Sequence, residues 1–259
     1  MNRITELFKT KKNNLLSIFY TAGFPNLNGT VSIAKHLEEA GADLIEIGIP
    51  FSDPVADGPV IQESNKIALD NGMTVKILLE QVREIRKEVK LPILLMGYLN
   101  PILQCGVEKF CKEASEAGVD GLILPDLPLA EFQEQWKSVF EKYNLSNIFL
   151  ISPTTSENRI REIDAASNGF VYAVSASSTT GAKGDFSEEQ ITYFQKLKSL
   201  KLNNPLLIGF GISNHTTFST VSRFASGGIV GSAFITLLKK STNLSLDISQ
   251  FIKSLRSQN

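Results

Sequence analysis

Cysteine is almost missing from this sequence: Cys105 and Cys111 are the only two, six positions apart and without a histidine nearby. Such a pair fits neither a disulfide framework nor a cysteine zinc site, and reads as buried or incidental thiols. Histidine is equally scarce. His36 falls within an expected helix and His215 in a loop, neither with a second His or Cys at ligand spacing, so no metal is expected. Net charge is nearly absent too, at −1 from 26 basic and 27 acidic residues, which gives no reason to expect nucleic acid as a partner. No apolar run reaches the roughly 18 residues of a membrane helix. The opening Met1-Asn-Arg-Ile-Thr-Glu-Leu-Phe-Lys9 lacks the apolar core of a signal peptide, so a cytoplasmic protein with no membrane partner is expected. Linkers rich in Ser, Gly or Pro are also lacking, and the reading is one domain over residues 1–259.

What is present is a repeated unit. Ala40-Gly-Ala-Asp-Leu-Ile45, Ala117-Gly-Val-Asp-Gly-Leu-Ile123 and Ser226-Gly-Gly-Ile-Val230 each look like a helix end, a glycine stop and the next strand. Between them, apolar runs alternate with helical stretches such as 74–89, 107–117, 130–143 and 157–166. The strands number eight: 15–21, one opening at Leu44, 92–96, one closing the segment 117–123, 148–151, 170–174, 206–208 and one closing the segment 226–230. Runs rather than clean alternation imply strands covered on both faces, hence a parallel sheet with helical crossovers. Eight units in 259 residues favour an α/β fold closed into a single (β/α)8 barrel over an open doubly wound sheet. Ile4, Leu7 and Phe8 recur at helical spacing, so an extra N-terminal helix is expected to cap one end.

The most informative stretch is Leu44-Ile-Glu-Ile-Gly-Ile-Pro-Phe-Ser-Asp-Pro-Val-Ala-Asp-Gly-Pro-Val-Ile-Gln62. Strand periodicity puts Leu44, Glu46 and Gly48 on one face, so a lone carboxylate sits among apolar neighbours. Such an acid is costly to bury, and is either chemical or paired with a backbone or lysine partner. The loop that follows adds Asp53 and Asp57. Glycine-rich turns at Thr180-Gly-Ala-Lys-Gly184, Gly209-Phe-Gly-Ile-Ser213 and Gly231-Ser-Ala233 stand after the last strands, where barrels of this kind hold phosphate. No Cys-His or Ser-His-Asp arrangement is seen, and Lys183 follows a loop, which disfavours a Schiff base. Acid–base chemistry on a phosphorylated substrate is what remains.

The stretch from Ile45 to Gln62 closely resembles the motif of the tryptophan synthase alpha subunit family, and the likeness extends over most of the chain. The resemblance implies a barrel lyase that cleaves indole-3-glycerol phosphate to indole and glyceraldehyde 3-phosphate by a retro-aldol reaction. It implies Glu46 as the main general acid/base and Asp57 as the group at the indole N–H. It places Phe19 and Tyr172 around the indole, Gly181, Gly211, Gly231 and Ser232 at the phosphate, and Thr180 in a hydrogen bond to Asp57. It also implies a beta-subunit partner in an alpha-beta-beta-alpha complex, contacted through Asp53 and Pro128. Pyridoxal phosphate then belongs to that partner, and this chain is expected to need no cofactor. Other function classes are a free-standing indole-releasing lyase, a phosphosugar aldolase, or a non-catalytic barrel that only activates the partner. Retention of Glu46 and Asp57 disfavours the last. One segment departs from the family pattern: Ser175-Ala-Ser-Ser-Thr-Thr-Gly181 has Ser178 and Thr179 where Gly and Val are common. The loop 177–184, with almost no apolar anchor, is expected to be mobile until ligand closes it.

Overall fold

The computed structural model describes residues 2–175 and 185–257. Its centre is a wholly parallel sheet of β1 (Leu15–Thr21), β2 (Leu44–Gly48), β3 (Ile93–Met96), β4 (Gly121–Ile123), β5 (Ser146–Ile148), β6 (Leu150–Ile151), β7 (Val171–Val174), β8 (Leu206–Gly209) and β9 (Gly227–Val230). The lateral order is β5-β4-β3-β2-β1-β9-β8-β7-β6, and its two ends, β5 and β6, are joined through the single residue Phe149. The sheet therefore closes on itself as a (β/α) barrel, with helices packed outside.

The expected count of eight strands becomes nine because the fifth is divided. β5 pairs only with β4 and β6 only with β7, so the interruption marks a change of neighbour while the chain keeps its direction. Phe149 belongs to the outer core and lies edge-on to Phe132 at 5.2 Å, and its carbonyl still accepts from the Tyr172 amide at 3.0 Å.

Parallel register sorts the side chains into two cores. Leu15, Leu44, Leu94, Ile123, Ile148, Tyr172, Leu207 and Ile229 fill the barrel, while residues of the opposite parity, such as Ile18, Ile45, Ile47 and Ala173, pack under the helices. The helix Arg3–Thr10 plugs the end where the strands begin, with buried Ile4 and Phe8 completing the inner core and the Phe8 ring 5.8 Å from Phe170. Its first turn is capped by Asn2, whose side chain accepts from the Ile4 amide and donates to the carbonyls of Asp120 and Asn144. The expected cap is thus present.

Helices expected at 107–117 and 157–166 are found over Val107–Ala117 and Glu157–Ala166, each where a glycine or serine sets a boundary. The stretch expected over 74–89 is helical over Val75–Ile85, with Thr74 as its side-chain cap. The stretch 130–143 contains a wider turn of π-helix at Phe132–Trp136, which turns both aromatic rings into the core. Two helices lie outside the sequence reading, Pro59–Asp70 and Leu99–Cys105. The first amide of the second is held by the Asp126 carboxylate at 3.0 Å, a cap supplied from 27 residues away.

The N-terminal plug is fixed by charge as well. Asp120 is buried and accepts from Arg86 Nη2, Arg3 Nη1 and the Ile93 amide. Burial lowers the Arg86 pKa to about 10, against the favourable field of Asp120. Removing one partner of a buried pair strands the other charge, so Asp120→Ala is expected to cost about 3–5 kcal/mol, read as a lower urea midpoint with an unchanged slope.

Candidate functional site

Glu46 projects into the barrel from the middle of β2, level with Phe19 on β1 and Leu94 on β3. It is 0 % exposed. One oxygen, Oε1, accepts from the Ser17 hydroxyl at 2.7 Å, and Oε2 has no partner among the described residues. The partner is neither the backbone nor a lysine, as sequence alone allowed, but a neighbouring strand's hydroxyl. Desolvation lifts the carboxyl pKa to about 7, and the Ser17 hydrogen bond works the other way.

Asp57 arrives from the loop after β2. That loop is folded tightly on itself: the Asp57 amide donates to the Pro54 carbonyl at 3.0 Å, and the Gln62 side chain donates to the Asp57 carbonyl at 2.9 Å. Gly58 then leads into Pro59, the first residue of the helix Pro59–Asp70, where proline's missing N–H costs nothing. The Asp57 carboxylate accepts from Tyr98 Oη at 3.1 Å, and the same phenol accepts from the Ala56 amide at 3.0 Å. Burial raises the Asp57 pKa and the Tyr98 bond partly opposes it.

Tyr172, on the inner face of β7, is the side chain that feels both acids. Burial first, then the charges of Glu46 and Asp57, hold its phenol protonated. Room for it comes from Gly209, where a Cβ would stand 2.3 Å from the phenol oxygen. Gly48 does the same for Phe19, whose ring would lie 2.7 Å from an added Cβ. Each large ring is thus matched to an empty position on the adjoining strand.

At the strand C-terminal ends two cavities of about 300 and 340 Å³ adjoin, sharing Phe19, Asp57, Ile61, Met96 and Phe210. The first is mainly apolar, with Ile49, Leu150 and Val174 and the polar edges of Tyr98 and Thr154. The second runs past Tyr172 to Gly211, Ser213, Gly231 and Ser232. Gly231 precedes the helix Ser232–Lys240, whose first amide bond is Phe234 N–H to the Gly231 carbonyl at 2.8 Å, so the Ser232 and Ala233 amides stand ahead of the helical ladder and favour an anion. Phe210 and Gly211 both lie in the left-handed region, at φ 69° and 78°. A phenylalanine there is uncommon, and the Ser175 hydroxyl holds it by donating to the Phe210 carbonyl at 2.8 Å.

Of the residues expected at the site, Phe19, Asp57, Tyr172, Gly211, Gly231 and Ser232 converge on these cavities. Glu46 lines neither cavity, and its link to the mouth is its charge at Tyr172. Thr180, Gly181 and the loop 177–184 lie outside the described residues. Asp53 and Pro128 are exposed at the rim, away from both cavities. His215 is structural, with Nδ1 3.0 Å from the Leu255 carbonyl, and His36 faces Glu39. Ser17, Tyr98, Asn65 and Phe210 were missed as functional candidates. Only Phe210 carried a signal, standing between the glycines of a quoted turn.

A family model described as "Tryptophan synthase alpha chain" matches residues 5–257. The chain is 52% identical to a tryptophan synthase alpha chain of Parabacteroides distasonis over 256 residues, 99% of this chain and 100% of the relative. It is 53% identical to that of Flavobacterium johnsoniae over the same shares. Among solved structures, the tryptophan synthase subunit alpha of Legionella pneumophila superposes with a TM-score of 0.88 at 37% identity, covering 99% of this chain and 97% of that one. Tryptophan synthase from M. tuberculosis in its aminoacrylate-bound form gives 0.86 at 29% identity, covering 99% and 98%.

The Glu46 carboxyl makes a prediction that does not depend on turnover. Its ordinary value of 4.5 rises to about 7 in the fold, so between those values the folded chain holds a proton that the unfolded chain has released. Wild-type stability therefore falls as pH rises through that window. Glu46→Gln removes the penalty and should be more stable than wild type by about 2–3 kcal/mol near pH 8, with most of the gain gone near pH 5. Urea titrations at the two pH values check it.

Proposed function

The chain belongs to the tryptophan synthase alpha chain family, and from that premise we propose the roles of its site residues in cleaving indole-3-glycerol phosphate to indole and glyceraldehyde 3-phosphate. The observation that carries the assignment is Asp57 on the seam between an apolar cavity and a cavity edged by glycine turns and a helix N-terminus. A flat aromatic ring suits the first half, and a phosphate the second.

Retro-aldol cleavage needs the ring carbon protonated, the indole N–H polarised or relieved of its proton, and the side-chain hydroxyl deprotonated. Glu46, with a pKa of about 7, can both give and take a proton near neutrality and serves carbon and hydroxyl. Asp57, steadied by Tyr98, takes the indole N–H. Phe19 and Tyr172 bracket the ring, and Gly211, Gly231 and Ser232 offer amides to the phosphate. Gly181 joins them and Thr180 bonds Asp57 on the strength of the family motif alone. Residues 1–259 act as one barrel domain.

The chain itself is proposed to use no cofactor, and to work in the cytoplasm with a pyridoxal-phosphate beta subunit in an alpha-beta-beta-alpha complex. Asp53 and Pro128 lie on the rim that would meet this partner, and Val55, between Asp53 and Asp57, is 86 % exposed. An apolar side chain so bare suits burial in a complex.

Steady-state assay of indole-3-glycerol phosphate cleavage, with and without the beta subunit, tests the reading. Glu46→Gln should lose at least about a hundredfold in turnover with substrate binding retained, and Asp57→Asn should lose most activity. Unchanged turnover in either variant removes that residue from its role. Asp53→Asn should chiefly weaken activation by the partner. Gly211→Leu should raise the Michaelis constant and weaken competition by glycerol phosphate, since charge-assisted hydrogen bonds contribute about 1.5–3 kcal/mol each. Undiminished competition places the phosphate elsewhere.

A further inference from the structure

Among the described residues Ser17 is the group that holds Glu46, and its position is unusual for a hydroxyl. It stands on the inner face of β1, between Leu15, a member of the sealed inner core, and Phe19 at the cavity. It is 0 % exposed. A hydroxyl buried there is costly unless it finds a partner. In the parallel register Ser17 is level with Leu44, and Phe19 is level with Glu46, so the Ser17 hydroxyl reaches diagonally along the strands to Glu46 Oε1. That is its only hydrogen bond among the described residues.

The consequence is an asymmetric carboxyl group. Oε1 is occupied by a donor and Oε2 has no hydrogen-bond partner among the described residues, although both are buried. We infer that Ser17 is a positioning residue for the cleavage reaction, fixing Glu46 through Oε1 and thereby leaving Oε2 as the oxygen that exchanges protons with substrate. This rests on the role proposed for Glu46 above and extends it to one atom.

The chemistry follows from what a serine hydroxyl can do. Its hydrogen is directed at Oε1 whether the carboxyl is ionised or neutral, so the acidic proton resides on Oε2 when Glu46 is protonated. When Oε2 gives that proton up, the charge spreads to Oε1, where Ser17 donates to an anion and binds more strongly. Ser17 thus opposes the desolvation that raises the Glu46 pKa. The other titratable group acting within the barrel is Tyr172, a neutral phenol that also feels Asp57. Among the described residues no lysine or arginine is buried. Among the described residues Ser17 is therefore the side chain whose hydrogen bond favours the ionised form of Glu46.

The test compares wild type, Ser17→Ala and Ser17→Thr in the complex with the beta subunit, and as the free chain labelled with 13C in its glutamate carboxyls. The Glu46 signal is identified by its loss in Glu46→Gln. In Ser17→Ala the Glu46 titration and the matching limb of the kcat–pH profile should both move upward by about one unit, as loss of a charge-assisted bond implies. KM should change by less than about twofold, because Ser17 does not touch substrate. Ser17→Thr, which restores a hydroxyl on a strand-favouring side chain, should return both midpoints toward wild type. Should Ser17→Ala fail to fold, Ser17→Cys keeps the shape with a weaker donor and must shift in the same direction. A Glu46 midpoint and a pH profile indistinguishable from wild type in Ser17→Ala or Ser17→Cys overturn the inference. Turnover retained by Glu46→Gln overturns the role of Glu46 itself, and the two failures are told apart because the carboxyl titration is read without turnover.

Discussion

Glu46 faces two opposing demands. In the role proposed for it, its carboxyl must be far enough from water to keep a proton near neutrality, yet close enough to a bound substrate to give it away. The barrel meets the first demand by closure. Once β5 and β6 are joined, the inner face has no edge through which water can enter sideways, and the Arg3–Thr10 helix seals the end where the strands begin. Only the strand C-terminal mouth is left, and there Phe19 and Tyr172 are seated against Gly48 and Gly209. A larger residue at either glycine would push a ring into the cavities at that mouth.

Asp57 experiences a different setting. It belongs to a loop, is half-buried, and already has a donor in Tyr98. Both acids have raised pKa values from burial, but Glu46 is lifted within a sealed interior while Asp57 is lifted at a seam between two cavities. Different surroundings suit two chemically similar groups to the different tasks proposed for them, the way one site runs acid and base steps together.

Much of this was legible in the sequence, and the exceptions have common physics. The period-two pattern placed Glu46 beside Leu44 and Gly48 on one face, and the stops Gly41 and Gly118 located helix ends to within a residue, whereas Gly227 and Gly228 lie inside β9 and the helix before them ends at Ser222. What escaped was set by contacts between distant segments. Ser17 looks like any strand serine until β1 is laid beside β2 in register. Tyr98 follows an ordinary apolar run, and only folding brings it to Asp57, 41 positions earlier. The helix Leu99–Cys105 contains Pro101 and has no cap of its own, since its donor is satisfied by Asp126. Phe149 reads as continuous strand because a change of pairing partner leaves no mark on local composition.

The N-terminal plug has a consequence for the order in which this molecule can be assembled. Its cap and its ion pair reach Asn144 and Asp120, partners 142 and 117 positions further along, and its aromatic contact is Phe170. A ribosome delivers the helix well before its seat. Until then Ile4 and Phe8 have nothing to cover them, and the growing barrel has an open floor beneath Glu46. Long-range closure of this kind slows folding, because chain entropy is lost before the contacts that reward it can form. A segment made so far ahead of its partners is therefore among the last to find its place, and the acid becomes properly dry only when it does.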